Sequence, residues 1–219
     1  MARVTATTER ELRIQTDDAI LCGDLRIPES PKGIVLFAHG SGSSRKSPRN
    51  RQVSEHLNKH NLATLLLDLL TEEEEKLDEQ TRRLRFDIGL LTDRLSGATD
   101  WLKTYAELRG LPVGYFGAST GAAAAVAASV RHPSAVKAIV SRGGRADMAG
   151  NTLERVTAPT LLIVGGNDDI VIGLNQQSME HLNCEVHFEI VPGATHLFEE
   201  AGALDIVSDL AADWFRKHL

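Results

Sequence analysis

The chain has few of the residues that mark secreted, metal-binding or membrane-spanning proteins. Its 219 residues include only two cysteines, Cys22 and Cys184, which lie too far apart in sequence to form a spaced metal or disulfide motif. We expect both to be buried free thiols. No apolar run approaches the roughly 18 residues of a membrane span, and residues 1–15 lack the apolar core of a secretory signal. These absences favour a cytoplasmic protein with no membrane partner.

The charge and the motif content also argue against several classes of ligand. The chain has 24 basic and 30 acidic residues, so its net charge of −6 favours solubility and gives no reason to expect a nucleic-acid partner. It contains no GxxxxGK[ST] phosphate loop, no GxGxxG fingerprint and no HExxH zinc motif. We therefore expect no metal and no organic cofactor.

The length and the 42% hydrophobic content predict a single domain, residues 1–219, with a sizeable core. Five short runs are apolar on both faces, which predicts strands buried inside a parallel sheet. These runs are GIVLFA (33–38), LATLLL (62–67), PVGYF (112–116), VKAIVS (136–141) and TLLIVG (160–165). A further strand, VHFEIVP, follows at 186–192.

Helical patterns alternate with these strands and complete the prediction of an α/β fold. The predicted helices cover residues 49–60, 83–105, 119–132, 172–183 and 204–219. Such alternation predicts a mostly parallel central sheet with helices on both faces. The segments ELRIQT and ILCGDLRIP, on either side of Asp17 and Asp18, predict an antiparallel N-terminal hairpin at the sheet edge.

An acidic segment, residues 71–83, interrupts this alternation. Thr71 and Glu74 have the spacing of a capping box at a helix start. The simplest interpretation of the segment is a solvated helix face, and the alternative is a partial lid over a site. The insertion between the strands at 62–67 and 112–116 is otherwise one long helix, so we predict no large cap and an open pocket.

Ser119 lies in the sequence GASTG, where a predicted strand ends and a predicted helix begins. Gly117 and Gly121 flank it in the pattern GxSxG. One interpretation is a tight turn that requires small residues. The other is a nucleophile on a sharp strand-to-helix turn, where the backbone N–H groups and the dipole of the new helix favour an oxyanion.

A serine nucleophile needs a base, and the base needs a carboxylate to fix its tautomer. His196 follows the strand at 186–192 and is the best candidate for the base; the alternative is a surface histidine with no role. Asp168 and Asp169 follow the strand at 160–165, where they are either the source of the carboxylate or an ordinary turn. Each candidate lies past the end of a separate strand, where ligands bind in open parallel sheets.

The segment FAHGSGSS follows the first buried strand and contains glycine and serine in a run. A loop of this composition can turn a backbone N–H, that of Ser41, towards Ser119. The N–H of Thr120 would be the second donor of an oxyanion hole. His39 and Gly40 precede Ser41, and we regard both as candidate substrate-binding residues.

Four segments together resemble the signature blocks of the α/β-hydrolase superfamily: FAHGSGSS, GYFGASTGAAAA, LLIVGGNDDIV and VPGATHLFEE. The resemblance covers residues 20–219 and is to the dienelactone hydrolase-like branch. That branch includes bacterial hydrolases sometimes fused to a phosphoribosyltransferase domain. It implies an α/β-hydrolase fold with Ser119 as nucleophile, Asp168 as acid and His196 as base, Asp168 matching the acid position better than Asp169.

The chain departs from the dienelactone hydrolases proper, which it resembles in fold but which use a cysteine nucleophile. Serine at position 119 favours a carboxylesterase that acts on small or short-acyl esters through an acyl-enzyme. The alternatives are an acyltransferase and a non-catalytic small-molecule binding protein. The expected partner is a small ester, and the chain is a monomer or a homodimer.

Arginines near the predicted site indicate a charged substrate group. Arg142 and Arg145 follow the strand at 136–141, so both belong at the carboxyl edge of the sheet. A guanidinium binds a carboxylate or a phosphate through a planar fork. The alternative is that both arginines pair with carboxylates such as Asp147 or Glu154 and hold loops in place.

Overall fold

A computed structural model describes residues 7–219, which form an eight-stranded sheet in the order β1-β2-β4-β3-β5-β6-β7-β8. The strands are β1 (Thr8–Gln15), β2 (Ile20–Ile27), β3 (Gly33–Ala38), β4 (Leu62–Leu67), β5 (Val113–Ala118), β6 (Val136–Arg142), β7 (Thr160–Gly165) and β8 (Val186–Val191). The α-helices are α1 (Pro48–Lys59), α2 (Glu72–Thr81), α3 (Ile88–Leu102), α4 (Thr120–Arg131), α5 (Asp169–Met179) and α6 (Ala203–His218). Two 3₁₀ segments cover Leu84–Phe86 and Ala146–Arg155.

The sheet confirms the predicted architecture. Strands β3 to β8 pair in parallel, whereas β1 pairs antiparallel with β2 and β2 pairs antiparallel with β4. Every residue of β3, β4, β5 and β7 is buried, because helices cover both faces of the sheet. The carboxyl ends of the central parallel strands therefore lie along one edge.

Two hydrophobic cores hold the helices against the sheet. On one face, Phe37 and Phe116 stack 4.8 Å apart and belong to the core that contains residues of α1 and α6. On the other face, Tyr115 is fully buried with residues of α3 and α4, and its hydroxyl lies 2.6 Å from the Thr99 hydroxyl. Each such large side chain contributes about 1.5–3 kcal/mol on burial. The strand ends are thus fixed from both sides.

The predicted helix over 83–105 is wrong at its start. Asp78, at the end of α2, accepts hydrogen bonds from the backbone N–H groups of Leu84 and Arg85 at 2.7 and 3.2 Å. Asp87 then caps α3 by accepting from Leu90 N at 3.0 Å. Because these carboxylates satisfy backbone donors locally, they end one helix and begin the next.

Other local predictions have mixed outcomes. The capping box forms, since Thr71 Oγ1 accepts from Glu74 N at 3.2 Å and Glu74 Oε2 accepts from Thr71 N at 2.7 Å. Helix α5 begins three residues earlier than predicted, at Asp169. Cys22 and Cys184 are free thiols, as predicted, but both are partly exposed. Within residues 7–219, no helix has the length and apolarity needed to cross a lipid bilayer.

A buried carboxylate joins the hairpin to the segment before α1. Asp24 of β2 accepts from Arg45 Nε at 3.0 Å, from Lys46 Nζ at 3.1 Å and from Arg51 Nη2 at 2.8 Å. Burial raises the pKa of Asp24, but the hydrogen bonds from these three cationic donors together lower it by more. The net shift of the pKa is therefore downwards. Arg45 also pairs with Asp68, which follows β4. The Arg45 guanidinium therefore connects the loop before α1 to β2 and to the end of β4.

We expect Asp24→Asn to lower the free energy of unfolding by about 2–4 kcal/mol at pH 7, because two arginines lose a buried ionic partner. The depressed pKa stabilises the wild type above the unfolded pKa of about 3.9, and this stabilisation is lost as the pH falls through the folded pKa. Urea unfolding should therefore show a gap between wild type and variant that narrows below about pH 4. The exposed Asp213→Asn is the control, and an equal loss in both variants would contradict the role of Asp24.

Candidate active site

Ser119 lies at the junction of β5 and α4 in a backbone conformation with positive φ, at φ 50° and ψ −122°. A non-glycine residue rarely adopts positive φ, so the surrounding contacts must hold it there. Ser119 N donates to Arg142 O at 3.3 Å, and Ser119 O accepts from Ala122 N at 3.1 Å and from Arg145 N at 3.0 Å. The residue is only partly buried, so its side chain remains accessible at the sheet edge.

The flanking glycines are required by close backbone contacts. A Cβ at Gly117 would lie 2.4 Å from Ala122 Cα, within the first turn of α4. A Cβ at Gly121 would lie 2.2 Å from Ala38 O and 2.5 Å from His39 O. Real Cβ atoms do not approach other heavy atoms so closely, so α4 packs directly on the end of β3 only because position 121 has no side chain.

His196 and Asp168 meet at the same edge. His196 Nδ1 lies 2.7 Å from Asp168 Oδ2, with the histidine side chain 38% exposed and the carboxylate 14% exposed. Asp168 is the residue before α5, whereas Asp169 begins the helix and is exposed. An imidazole that donates Nδ1–H to a carboxylate presents Nε2 as a base.

Gly143 packs against His196, and the residue before it in the chain is hydrogen-bonded to Ser119. Its φ is +50°, and a Cβ there would lie 3.1 Å from His196 O and 3.5 Å from His196 Cε1. The preceding residue, Arg142, accepts the hydrogen bond from Ser119 N. Among residues 7–219, Ser119 Oγ makes no hydrogen bond to His196; such bonds often form only when substrate is bound.

The loop after β3 passes beside Ser119. A Cβ at Gly40 would lie 3.0 Å from Ser119 Cβ, so the loop backbone touches the serine side chain. Within the described part of the chain, the N–H groups of Ser41 and Thr120 donate to no acceptor. Two free backbone donors therefore flank Ser119.

The His39 side chain fixes this loop through hydrogen bonds to the backbone. Leu69 N donates to His39 Nε2 at 3.1 Å, so the ring proton lies on Nδ1 and is donated to Gly40 O at 2.9 Å. Burial lowers the pKa of His39, which keeps the ring neutral. Both ring nitrogens are thus engaged with backbone, and His39 is 9% exposed.

Helix α2, in the acidic segment, lies beside the loop after β3. The sequence left open whether this segment is a solvated helix face or a partial lid. Glu75 and Asp78 of α2 line a small cavity with Gly40, Ser41 and Thr120; Arg85 and Leu91 complete its far wall. Burial raises the pKa of Glu75, and neighbouring Asp68 adds to the shift. The capping box had marked only the helix start. Helix α2 therefore lies beside the loop that follows β3 and beside Thr120.

The two arginines after β6 have different environments. Arg145 forms a bidentate pair with Asp147, both N–O distances being 2.8 Å, as the loop-holding alternative predicts. Arg142 is 7% exposed, and its Cζ lies 6.0 Å from the centroid of the Phe116 ring.

Comparison with known proteins identifies the family to which this geometry belongs. The model of the dienelactone hydrolase family matches residues 22–217. The chain belongs to the dienelactone hydrolase family. The match covers nearly the whole chain, so the chain is a member of a hydrolase family with the α/β-hydrolase fold, as the sequence resemblance implied.

Solved structures agree with this membership. The chain is 54% identical to a dienelactone hydrolase from Anabaena variabilis, with a TM-score of 0.95, and the match covers 97% of this chain and 99% of the other. A dienelactone hydrolase-like promiscuous phosphotriesterase from metagenomic libraries has a TM-score of 0.79 at 18% identity, covering 97% and 99% of the two chains. The second likeness concerns the fold alone.

Curated relatives are longer. Proteins from two strains of Mycobacterium tuberculosis, provisionally named phosphoribosyl transferase, are 52% identical over 211 residues. The match covers 96% of this chain and 47% of each relative, so the chain spans about half their length.

Replacing Gly121 by alanine tests whether α4 must contact the end of β3. The added Cβ would overlap two backbone carbonyls, so we expect a loss of about 3 kcal/mol and a Tm lower by roughly 6–12 °C. Gly173→Ala in α5 is the control, because a Cβ there meets nothing within 4 Å. We expect that control to change stability by less than about 1 kcal/mol. Equal Tm values for the two variants, measured by differential scanning calorimetry, would contradict the contact.

Proposed function

We propose that the chain is a serine hydrolase that cleaves small or short-acyl carboxylic esters through an acyl-enzyme. The observation that carries this proposal is the positive-φ turn at Ser119 at the end of β5, at the sheet edge where His196 and Asp168 form a 2.7 Å contact. Serine is unreactive without a base, and a neutral histidine oriented by a carboxylate is the base that this chemistry uses.

In the first half of the reaction, Ser119 Oγ attacks the ester carbonyl carbon while His196 Nε2 takes the hydroxyl proton. Asp168 stabilises the imidazolium that forms. The tetrahedral intermediate collapses when the C–O bond to the alcohol breaks, and His196 returns its proton to the leaving alkoxide. Water then attacks the acyl-enzyme with His196 again as base, which releases the acid and restores Ser119.

The N–H groups of Ser41 and Thr120 are the proposed donors to the oxyanion. Their support is threefold: Thr120 follows Ser119 in the chain, Ser41 follows Gly40, which contacts the Ser119 side chain, and neither N–H has an acceptor within residues 7–219. Each such donor contributes about 2.7–4 kcal/mol to the transition state in other acyl-transfer enzymes. In this proposal His39 and Gly40 act by fixing the loop that carries Ser41.

The shape of the site favours small substrates. The insertion between β4 and β5 provides only α2, a 3₁₀ turn and α3, which is less than a separate cap. The cavity beside the oxyanion loop is small and has Leu70 and Leu91 among its apolar lining residues. The curated relatives are named as phosphoribosyl transferases, but each is about twice as long as this chain. About half of each relative lies outside the match, so their name does not bear on the proposed ester hydrolysis.

Removal of the nucleophile is the first test. Ser119→Ala should lower kcat for 4-nitrophenyl acetate by roughly 10⁴–10⁶-fold, with the fold unchanged by circular dichroism. Intact mass spectrometry after treatment with a fluorophosphonate should show one adduct on the wild type and none on the variant. Absence of an adduct on the wild type would favour a binding protein over an esterase.

The two adjacent aspartates provide a matched pair for testing the acid. Asp168→Asn should lower kcat about 10³–10⁴-fold, because the amide no longer fixes the histidine tautomer or stabilises its charge. Asp169→Asn should stay within about 3-fold of wild type, since its side chain is exposed at the start of α5. The reverse order in steady-state kinetics would move the acid role to Asp169.

A further inference from the structure

Asn175 is a buried polar residue in the second turn of α5. It is 1% exposed, and its side-chain Nδ2 donates to Gly144 O at 2.9 Å and to Val171 O at 2.8 Å. Both partners are carbonyl oxygens, so they determine which end of the side-chain amide is the nitrogen. Asn175 therefore connects α5 to Gly144, in the loop that follows β6.

The amide oxygen of Asn175 has no compensating partner. Its Oδ1 is buried and accepts no hydrogen bond within residues 7–219. Leaving a buried acceptor unpaired destabilises a fold, and an apolar side chain of similar shape would avoid that cost. What an apolar side chain could not supply is the hydrogen bond to Gly144 O. The asparagine is therefore explained by its connection to the loop and not by the stability of α5.

The end of β6 and the loop after it hold the backbone of Ser119 from both sides. Ser119 N donates to Arg142 O at 3.3 Å, and Ser119 O accepts from Arg145 N at 3.0 Å. Gly144 lies between these two contacts, and a Cβ there would lie 2.5 Å from Ala122 Cβ, in the first turn of α4. A residue with positive φ persists only where its surroundings fix its conformation. The position of Gly144 therefore controls the backbone geometry of Ser119.

The same helix and the same loop adjoin the other two candidate catalytic residues. Asp168 is the residue directly before α5, the helix that contains Asn175. Gly143, in the loop, packs against His196, since a Cβ there would lie 3.1 Å from His196 O. Asn175 thus sets the spacing between the helix that follows Asp168 and the loop that contacts both Ser119 and His196.

We propose that Asn175 is a positioning residue for the reaction of Ser119. Its hydrogen bond to Gly144 O fixes the loop after β6 relative to α5, so that the nucleophile, the base and the acid keep one arrangement during turnover. This inference rests on the proposed function, because it concerns the same three residues. Asn175 is buried and acts through Ser119, so its loss affects the chemical step and not substrate binding. A displacement of about 1 Å between reacting groups lowers a rate roughly 100-fold.

Asn58 provides a matched control for a test of Asn175. It is 6% exposed in α1, and its Nδ2 donates to Leu62 O at 2.9 Å and to Thr64 Oγ1 at 3.1 Å. Leu62 is the first residue of β4, so this hydrogen bond lies at the edge of the sheet opposite Ser119. Asn58→Leu and Asn175→Leu each remove a buried donor to a backbone carbonyl. We expect either substitution to lower the Tm by about 2–12 °C.

The kinetic test compares the two variants on 4-nitrophenyl acetate, at a temperature where circular dichroism shows both to be folded. Asn175→Leu should lower kcat roughly 10- to 100-fold and change KM by less than about 3-fold, because the loss falls on the transition state. Asn58→Leu should keep both constants within about 3-fold of wild type. A merely structural role would lower the Tm without this difference in kcat. Equal kcat values for the two variants overturn the proposal.

Proton NMR supplies a readout that needs no turnover. The proton between His196 Nδ1 and Asp168 Oδ2 should resonate at low field, and its loss in His196→Gln assigns it. This resonance should shift or broaden in Asn175→Leu and stay unchanged in Asn58→Leu, because only the first variant releases the loop after β6 from α5.

The two readouts separate failure of this proposal from failure of the proposed function. If the wild type cleaves no ester, the proposed function fails and the NMR resonance alone decides the role of Asn175. A resonance that is the same in wild type and Asn175→Leu then overturns that role. Should Asn175→Leu fail to fold, Asn175→Ala takes its place, because it removes the same donor with a smaller side chain, and Asn58→Ala becomes its control.

Discussion

The direct contact between the start of α4 and the end of β3 is the constraint on which the site depends. Gly121 places helix backbone within van der Waals distance of the carbonyl groups of Ala38 and His39. That approach leaves no room for a gradual turn between β5 and α4, so the chain reverses through a single residue with positive φ, Ser119. The same approach brings the loop after β3 against the serine side chain. One packing contact thus creates both the strained serine and the loop beside it.

The rest of the site is held by polar contacts around this packed centre. His39 is neutral and fully engaged, so it fixes the loop without competing for a substrate. Asp24 and Asp68 fix Arg45, at the end of the same loop, to the sheet. The hydrogen-bonding groups of these side chains are engaged in the fold, and they fix the two ends of the loop after β3. Within residues 7–219, the N–H groups of Ser41, in that loop, and of Thr120 donate to no acceptor.

Much of the fold follows from local sequence patterns. Runs such as GIVLFA and TLLIVG are apolar on both faces, and their bounds at 33–38 and 160–165 agree with β3 and β7. The candidates Asp168 and His196 were recognisable because each lies in the loop after a predicted strand, and the structure brings them into contact. The division between α2 and α3 was not recognisable, because it depends on Asp78 reaching backbone N–H groups six and seven residues away.

The roles of charged residues were the least predictable part, because charge alone does not reveal a partner. Arg142 and Arg145 are three positions apart and looked equivalent, yet one is paired with Asp147 and the other is buried beside Phe116. The difference arises from position along the chain. Arg142 is the last residue of β6 and lies against Phe116, in the core that contains residues of α1, whereas Arg145 is in the following loop. Glu75 shows the same limitation, since the preceding residues Glu72 and Glu73 are exposed whereas Glu75 borders a cavity.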